Sequence, residues 1–270
     1  MKEIFSESFE KLLKERKIID LTVILADDVP SSGAFCQDFI KFQADFYDSI
    51  KNIDYGPYYD FNIIMNEHTG THCDAPVHMI PDIEKYPDLP HAGPAGKITT
   101  DKIPIEQTMG PAAVIDVTDL IGTGAPGISP IIKVERVKQW EEKNSKLKPG
   151  EIVLFYTSWT DRYYKKFPEG YKLDRDCRIL KKTEGWPAPD AETMNYLVEK
   201  GIKLVGVDTA SMGSIQDDNT PHWAGLSKGL IFNEKLTNLG KLPPRGSYYI
   251  FLPLKIRGGS GGPGRAIAIV

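Results

Sequence analysis

His68, His72, Asp74 and His78 crowd the stretch NEHTGTHCDAPVHMIPD, with Glu67 beside the first of them. The chain has only five histidines and three of them fall here. Imidazoles and a carboxylate set among glycine and proline are the usual composition of a metal-dependent hydrolytic site. A histidine pair four residues apart also arises by accident on helix surfaces. That accounts for two of these residues, but not for all four around Gly70 and Pro76.

The spacing constrains the backbone. In an extended chain His68, Gly70, His72, Asp74, Pro76 and His78 share one face, because side chains alternate. A straight strand would still hold His68 and His72 roughly 13 Å apart, at ~3.3 Å per residue. One ion cannot reach both, since its ligand atoms lie about 2.0–2.2 Å away. The chain must therefore bend, and Gly70, midway, tolerates the backbone angles of a tight turn. Asp74 is a hard oxygen ligand able to bridge two ions. His78, beyond a proline, is better placed to carry a proton than to ligate. Cys73 alternates away from the proposed ligands and reads as a small buried side chain.

H-x-G-T-H-x-D-x-P-x-H resembles the signature of the cyclase-like metal hydrolases, the family that includes bacterial kynurenine formamidase and isatin hydrolase. All its fixed positions occur here: His68, Gly70, Thr71, His72, Asp74, Pro76 and His78. A second family feature, a histidine followed twelve residues later by an acid or amide, is matched by His222 and Glu234. The closing LPPRGSYYIFLPLKIRGGSGGPGRAIAIV is also similar to the family pattern. The resemblance implies a metal sphere of His68, His72, Asp74, His222 and Glu234, with His78 as the catalytic proton carrier. It also implies a swivelling β/β/α fold: one domain over 1–270 with a mixed barrel-like sheet and outer helices. Relatives with glutamine at the Glu234 position resemble single-ion enzymes, so a carboxylate here favours two ions bridged by Asp74 and Glu234.

The donor set suits zinc or manganese, one or two per chain, and disfavours an all-oxygen magnesium or calcium site. The expected reaction is hydrolysis of a small amide, formamide, cyclic amide or lactone. Metal-bound hydroxide attacks the carbonyl, and His78 returns the proton to the leaving group. A lyase or cyclase stabilising an enolate, and a non-catalytic metal-holding protein, are the alternatives.

The rest of the chain must build the scaffold for these residues. It has 270 residues, 41% of them hydrophobic, and no low-complexity linker divides it. A net charge of −4 excludes a general nucleic-acid binder. The polar start MKEIFSESFEKLLKERK is no signal peptide, and no apolar run approaches membrane-span length. Three cysteines without a C-x-x-C suggest a reduced, cytoplasmic protein. Helices are expected over Glu7–Lys17, Val134–Lys143 and Ala191–Lys200, the last capped by Asp190. Strands are expected at Ile18–Leu25, Tyr59–Asn66, Ala112–Val117, Ile152–Tyr156, Lys203–Val207, Gly229–Asn233, Tyr248–Ile256 and Arg265–Val270. Periodicity alone supports a mixed α/β fold.

His222 reads as a loop residue and Asp208 as a strand-end cap. Residues at about 30–59 form an aromatic insertion. Phe39, Tyr59 and Trp223 are the candidate substrate contacts, with Trp159 and Trp186 as further aromatic candidates. The expected partner is a small-molecule substrate, with assembly as a homodimer or homotetramer.

Overall fold

The structure, a computed structural model, describes residues 5–31, 33, 39–45 and 59–270. Helix α1 (Phe5–Glu15) leads into β1 (Ile18–Asp20). Strands β2 (Ile40–Asp45) and β3 (Asp60–Ile64) form a separate antiparallel hairpin. The histidine stretch supplies β4 (His72–Asp74), and β5 is Met109–Asp116. The pair β6 (Ile131–Ile132) and α2 (Val134–Asn144) precedes β7 (Ile152–Tyr156) and the short α3 (Trp159–Tyr163). Strand β8 (Ala188–Pro189) pairs with β6, and α4 (Ala191–Glu199) follows. Next come β9 (Leu204–Val207), α5 (Asn219–Leu226) and β10 (Ile231–Glu234). Strands β11 (Ser247–Pro253) and β12 (Gly261–Ile269) complete the chain.

The main sheet runs β1-β12-β11-β5-β7-β9-β10-β4, and β4 pairs again with β12. Seven strands therefore close into a mixed barrel-like ring in a single domain, with β1 pairing to the last residues of β12, beyond the stretch that β4 pairs with. Strands β5, β7, β9 and β10 are mutually parallel, and the other neighbours in the ring are antiparallel. Parallel strands are covered on both faces and so need unbroken apolar runs. Ile152–Tyr156 and Leu204–Val207 are such runs. Val114, Leu154, Leu204, Tyr249 and Phe251 belong to one core. The alternate residues Ala113, Ile115, Val153, Phe155, Val205 and Val207 meet Val137 and Trp140 of α2 and Met194 and Leu197 of α4. Residue alternation thus separates the barrel interior from the helical layer.

The helices form where the periodicity places them. Asp190 caps α4 by accepting from the Thr193 backbone N–H at 2.9 Å, and Gly201 takes φ +72° just beyond it. Asp208, fully buried after β9, accepts from the backbone N–H groups of Thr157 and Ser158 at 2.8 and 2.7 Å. It therefore ties the end of β7 to the end of β9, and burial pushes its carboxyl up to about 7.

Three expectations change. The run Tyr59–Asn66 contains a strand, but β3 pairs with β2 outside the main sheet and is mostly exposed. The run Ile18–Leu25 shortens to β1, and Thr22 continues only as a bridge to Leu236. His222 lies on α5 rather than in a loop. Pro221 is tolerated there because it stands in the first turn, where a missing N–H costs no helical hydrogen bond. Most of the aromatic insertion at about 30–59 lies outside the described residues.

Candidate metal centre

The seam where the ring closes carries the histidine stretch. Gly70 adopts φ +61°, and the His68 and His72 rings approach to 5.1 Å between centroids. The turn thus replaces the separation of a straight strand with contact. Thr71 secures it by donating its hydroxyl to the Lys235 carbonyl at 2.6 Å. On one side β4 pairs with β10, setting His72 opposite Glu234; on the other it pairs with β12, setting Asp74 opposite Gly261. Helix α5 brings in His222. Cys73, between two of these residues, turns into the apolar core, where burial raises its thiol pKa.

His72, Asp74, His222 and Glu234 are all buried and converge on one point. The His72 Nε2 atom lies 3.4 Å from Asp74 Oδ1 and 3.6 Å from Glu234 Oε2. The His222 Nε2 atom lies 3.8 Å from Asp74 Oδ2 and 3.5 Å from Glu234 Oε1. These separations exceed ordinary hydrogen bonds. They match donors that share a cation, since two atoms ~2.1 Å from a tetrahedral ion are about 3.4 Å apart. Both rings are oriented for it: Nδ1 of His72 meets the Gly70 carbonyl at 2.9 Å, and Nδ1 of His222 meets the Asp218 carbonyl at 2.5 Å. An N–H donated from each Nδ1 leaves each Nε2 lone pair facing the carboxylates. Glu234 Oε1 is fixed by the Met212 backbone N–H at 2.6 Å.

Two overlapping donor groups result: His72, Asp74 and Glu234, and His68, Asp74 and His78. Asp74 belongs to both. The His68 Nδ1 atom lies 2.8 Å from Asp74 Oδ1, and the His78 ring packs against His68, tilted by 38°, with 4.1 Å between centroids. His78, expected as a proton carrier, is therefore also close enough to the donors to belong to a ligand group.

The electrostatics favour a cation. Burial opposes charge on His222, but the Asp74 and Glu234 carboxylates outweigh it and hold the ring well above its ordinary pKa. The same balance, dominated by Asp74, raises His68. Burial pushes His78 the other way, towards the neutral base. For Asp74, burial is overcome by the surrounding imidazoles, and its carboxyl lies well below the usual range. The carboxylates thus draw positive charge into a dry site, and a divalent ion answers that demand with the donors already aimed.

A cavity of about 370 Å³ opens onto these residues. Arg178, Asp174, Met79 and Ser260 also line it, but Phe39, Tyr59 and Trp223 do not. Trp223 faces the other way along α5 and stacks on His91 at 3.7 Å between centroids. Phe39 is buried next to β2, and the exposed Tyr59 packs edge-on against Phe61. Trp159 and Trp186 are core residues whose indole N–H groups donate to the Leu173 and Gly213 carbonyls. Trp223 follows His222 directly in sequence, but neighbouring residues of a helix point about 100° apart.

Sequence reasoning also missed Arg178, which lies 3.3 Å from Asp218, and Ser260, which meets His68 at 3.0 Å. The only signal for Ser260 was its position within the Gly-rich GGSGGPG.

Comparison with known proteins places the chain in a family. The family model described as "Putative cyclase" matches residues 19–214. The isatin hydrolase of Roseibium aggregatum is 28% identical over 224 residues, covering 80% of this chain and 76% of that protein. The kynurenine formamidase of Salinibacter ruber is 31% identical over 208 residues, covering 75% of this chain and 76% of that protein. Isatin hydrolase A from Ralstonia solanacearum superposes with a TM-score of 0.80 at 25% identity, covering 100% of this chain and 98% of its own. With the motif, the barrel and most of the chain matched, this protein belongs to the Cyclase family.

Proposed function

We propose that the chain is a metal-dependent hydrolase of carbon–nitrogen bonds other than peptide bonds, acting on a small formamide, amide or cyclic amide, with a lactone as a related substrate. The observation that carries this reading is the convergence of the His72 and His222 Nε2 atoms on Asp74 and Glu234 at 3.4–3.8 Å. The named activities of the isatin hydrolase and kynurenine formamidase relatives support the same bond class. His68, His72, Asp74, His222 and Glu234 would hold zinc or manganese, one or two ions per chain. A bound divalent ion supplies Lewis acidity, lowering the pKa of a water towards ~7 and polarising a carbonyl.

The chain's own residues do the remaining work. His78, kept neutral by burial at the cavity wall, takes a proton from the attacking water and returns it to the departing nitrogen. That return matters because amide nitrogen leaves poorly unless protonated. Met212, the Gly70 carbonyl and the Asp218 carbonyl hold Glu234, His72 and His222 in place, so little reorganisation is needed during turnover.

The test is a screen of zinc- and manganese-reconstituted protein against formamides, cyclic imides and lactones in heavy-oxygen water. Solvent oxygen should appear in the new carboxylate. Turnover without it would replace hydrolysis with lyase chemistry, and no turnover on any of these classes would refute the substrate assignment.

A further inference from the structure

His68 is oriented differently from the other histidines of the centre. His72 and His222 present Nε2 and use Nδ1 on a backbone carbonyl; His68 has Nδ1 beside Asp74 and Nε2 at 3.0 Å from the Ser260 hydroxyl. Ser260 is itself committed. Its Oγ–H donates to Glu67 Oε1, and its backbone N–H donates to the same oxygen at 3.0 Å. A hydroxyl has one proton to give. With that proton on Glu67, the Ser260 oxygen is an acceptor towards the ring, so the imidazole proton must sit on Nε2. In the neutral ring, Nδ1 then directs a lone pair at a carboxylate oxygen only 2.8 Å away. Two lone pairs at that distance repel unless a cation stands with them: a metal ion in the loaded protein, or a second ring proton shared with Asp74 when no metal is bound.

We infer that Glu67 and Ser260 are positioning residues that fix the His68 proton on Nε2 and so present Nδ1, beside Asp74, as the metal-binding atom. This rests on the reading of His68 as a ligand and deepens it. The order Ser260–His68–Asp74 superficially resembles a nucleophilic triad. The Ser260 proton, however, points to Glu67 and not to the histidine, so the ring cannot act as its base.

The backbone is shaped for this contact. A Cβ at Gly261 would stand 2.7 Å from His68 Cε1 and 2.8 Å from Nε2, and one at Gly259 would stand 3.0 Å from Glu67 Oε2. Glycine on both sides of Ser260 lets the strap lie against the Glu67–His68 pair. The Ser260 carbonyl accepts from the Ala75 N–H at 2.8 Å, so the strap that holds His68 also holds the end of β4. The tilted His78 ring packs against another side of the imidazole. His68 is thus clamped by the β12 strap and His78.

The experiment compares chelator-stripped parent, Ser260→Ala, Ser260→Thr and Glu67→Ala. Zinc and manganese affinities are measured by competition with a chromophoric chelator, and the histidine tautomers by nitrogen NMR on the zinc-loaded proteins. Loss of an outer hydrogen-bond partner of a metal-bound histidine typically weakens binding by about 10–100-fold. Ser260→Ala and Glu67→Ala should show that loss for one ion and release His68 from the Nε2–H form. Ser260→Thr, which keeps the hydroxyl, should return within a few-fold of the parent and restore the tautomer.

A merely structural role for the strap would lower thermal stability without changing the tautomer. Parent-like affinity in Ser260→Ala, or an Nδ1–H tautomer in the parent, overturns the inference and leaves the metal centre standing. A parent that binds neither ion overturns the metal centre itself.

Discussion

Because Asp74 belongs to both donor groups, the histidines around it are not equivalent under substitution. His72 faces Asp74 and Glu234 from a fully enclosed position. Elemental analysis of His72→Ala should therefore find markedly less bound metal than in the parent. Full retention would remove His72 from the centre. His78 separates binding from catalysis. His78→Ala should keep its metal and its circular dichroism while turnover falls ~10²–10⁴-fold, the range for loss of a general acid–base. Metal lost along with activity would instead assign His78 to the donor group it forms with His68 and Asp74.

Glu234 tests the number of ions. Its Oε1 is held by Met212 and faces His222, while its Oε2 faces His72. A carboxylate spanning two imidazoles can bridge two cations and offset their repulsion. Glu234→Gln should lower stoichiometry from about two towards one under the bridging chemistry of carboxylate sites. One ion per parent chain, measured with saturating zinc and with manganese, would exclude the bridged pair but not the hydrolase.

At the scale of elements, the sequence was most informative where one physical rule dominated. Ile152–Tyr156 and Leu204–Val207 are continuous apolar runs, and they are the strands buried on both faces. The α4 helix was bounded by its cap and by Gly201, and the histidine stretch by its need to bend at Gly70. Legibility failed where tertiary contacts decide. Nothing local reveals that the strap around Ser260 returns 192 positions later to meet His68. Nor does sequence reveal that β3 pairs with β2 instead of entering the barrel. His222 was expected in a loop, yet it stands on α5, because Pro221 before it costs little in a first turn.

The Asp190 cap offers a test of an element that was read correctly. Asp190→Ala should lower unfolding free energy by about 0.5–2 kcal/mol. Burial opposes the Asp190 charge, but Lys133 and the Thr193 N–H outweigh it and hold its pKa below the ordinary carboxylate value. A depressed folded pKa gives stabilisation that is complete above the unfolded value and declines as pH falls through the folded one. Denaturant titrations should therefore show the largest gap between parent and variant near neutral pH, narrowing in acid. A gap independent of pH would mean that the charge of Asp190 plays no part.

At the scale of the whole molecule, one region is poorly explained by a lone chain. The β2–β3 hairpin exposes Ile40, Phe42, Ile63 and Ile64, with Ile63 at 55%. Two-stranded ribbons are at best marginally stable in water, and need a third strand or a packed face. Ile40 lies opposite Ile64 and shares a face with Phe42, while Ile63 lies opposite Lys41 on the other face; the three apolar side chains on the first face are suited to another protein surface. The expected homodimer or homotetramer would supply that surface from a second copy, and the modest net charge of −4 opposes self-association only weakly. Light scattering at micromolar concentration should therefore give a mass of two or four times the 30.1 kDa chain. Phe42→Lys with Ile64→Lys, on one face, should shift it towards the single-chain mass and reduce thermal stability, while changing metal affinity little, because neither residue lines the cavity. A parent that runs as a single chain, with the double variant no less stable, would show that the hairpin is self-sufficient and that the oligomer does not form.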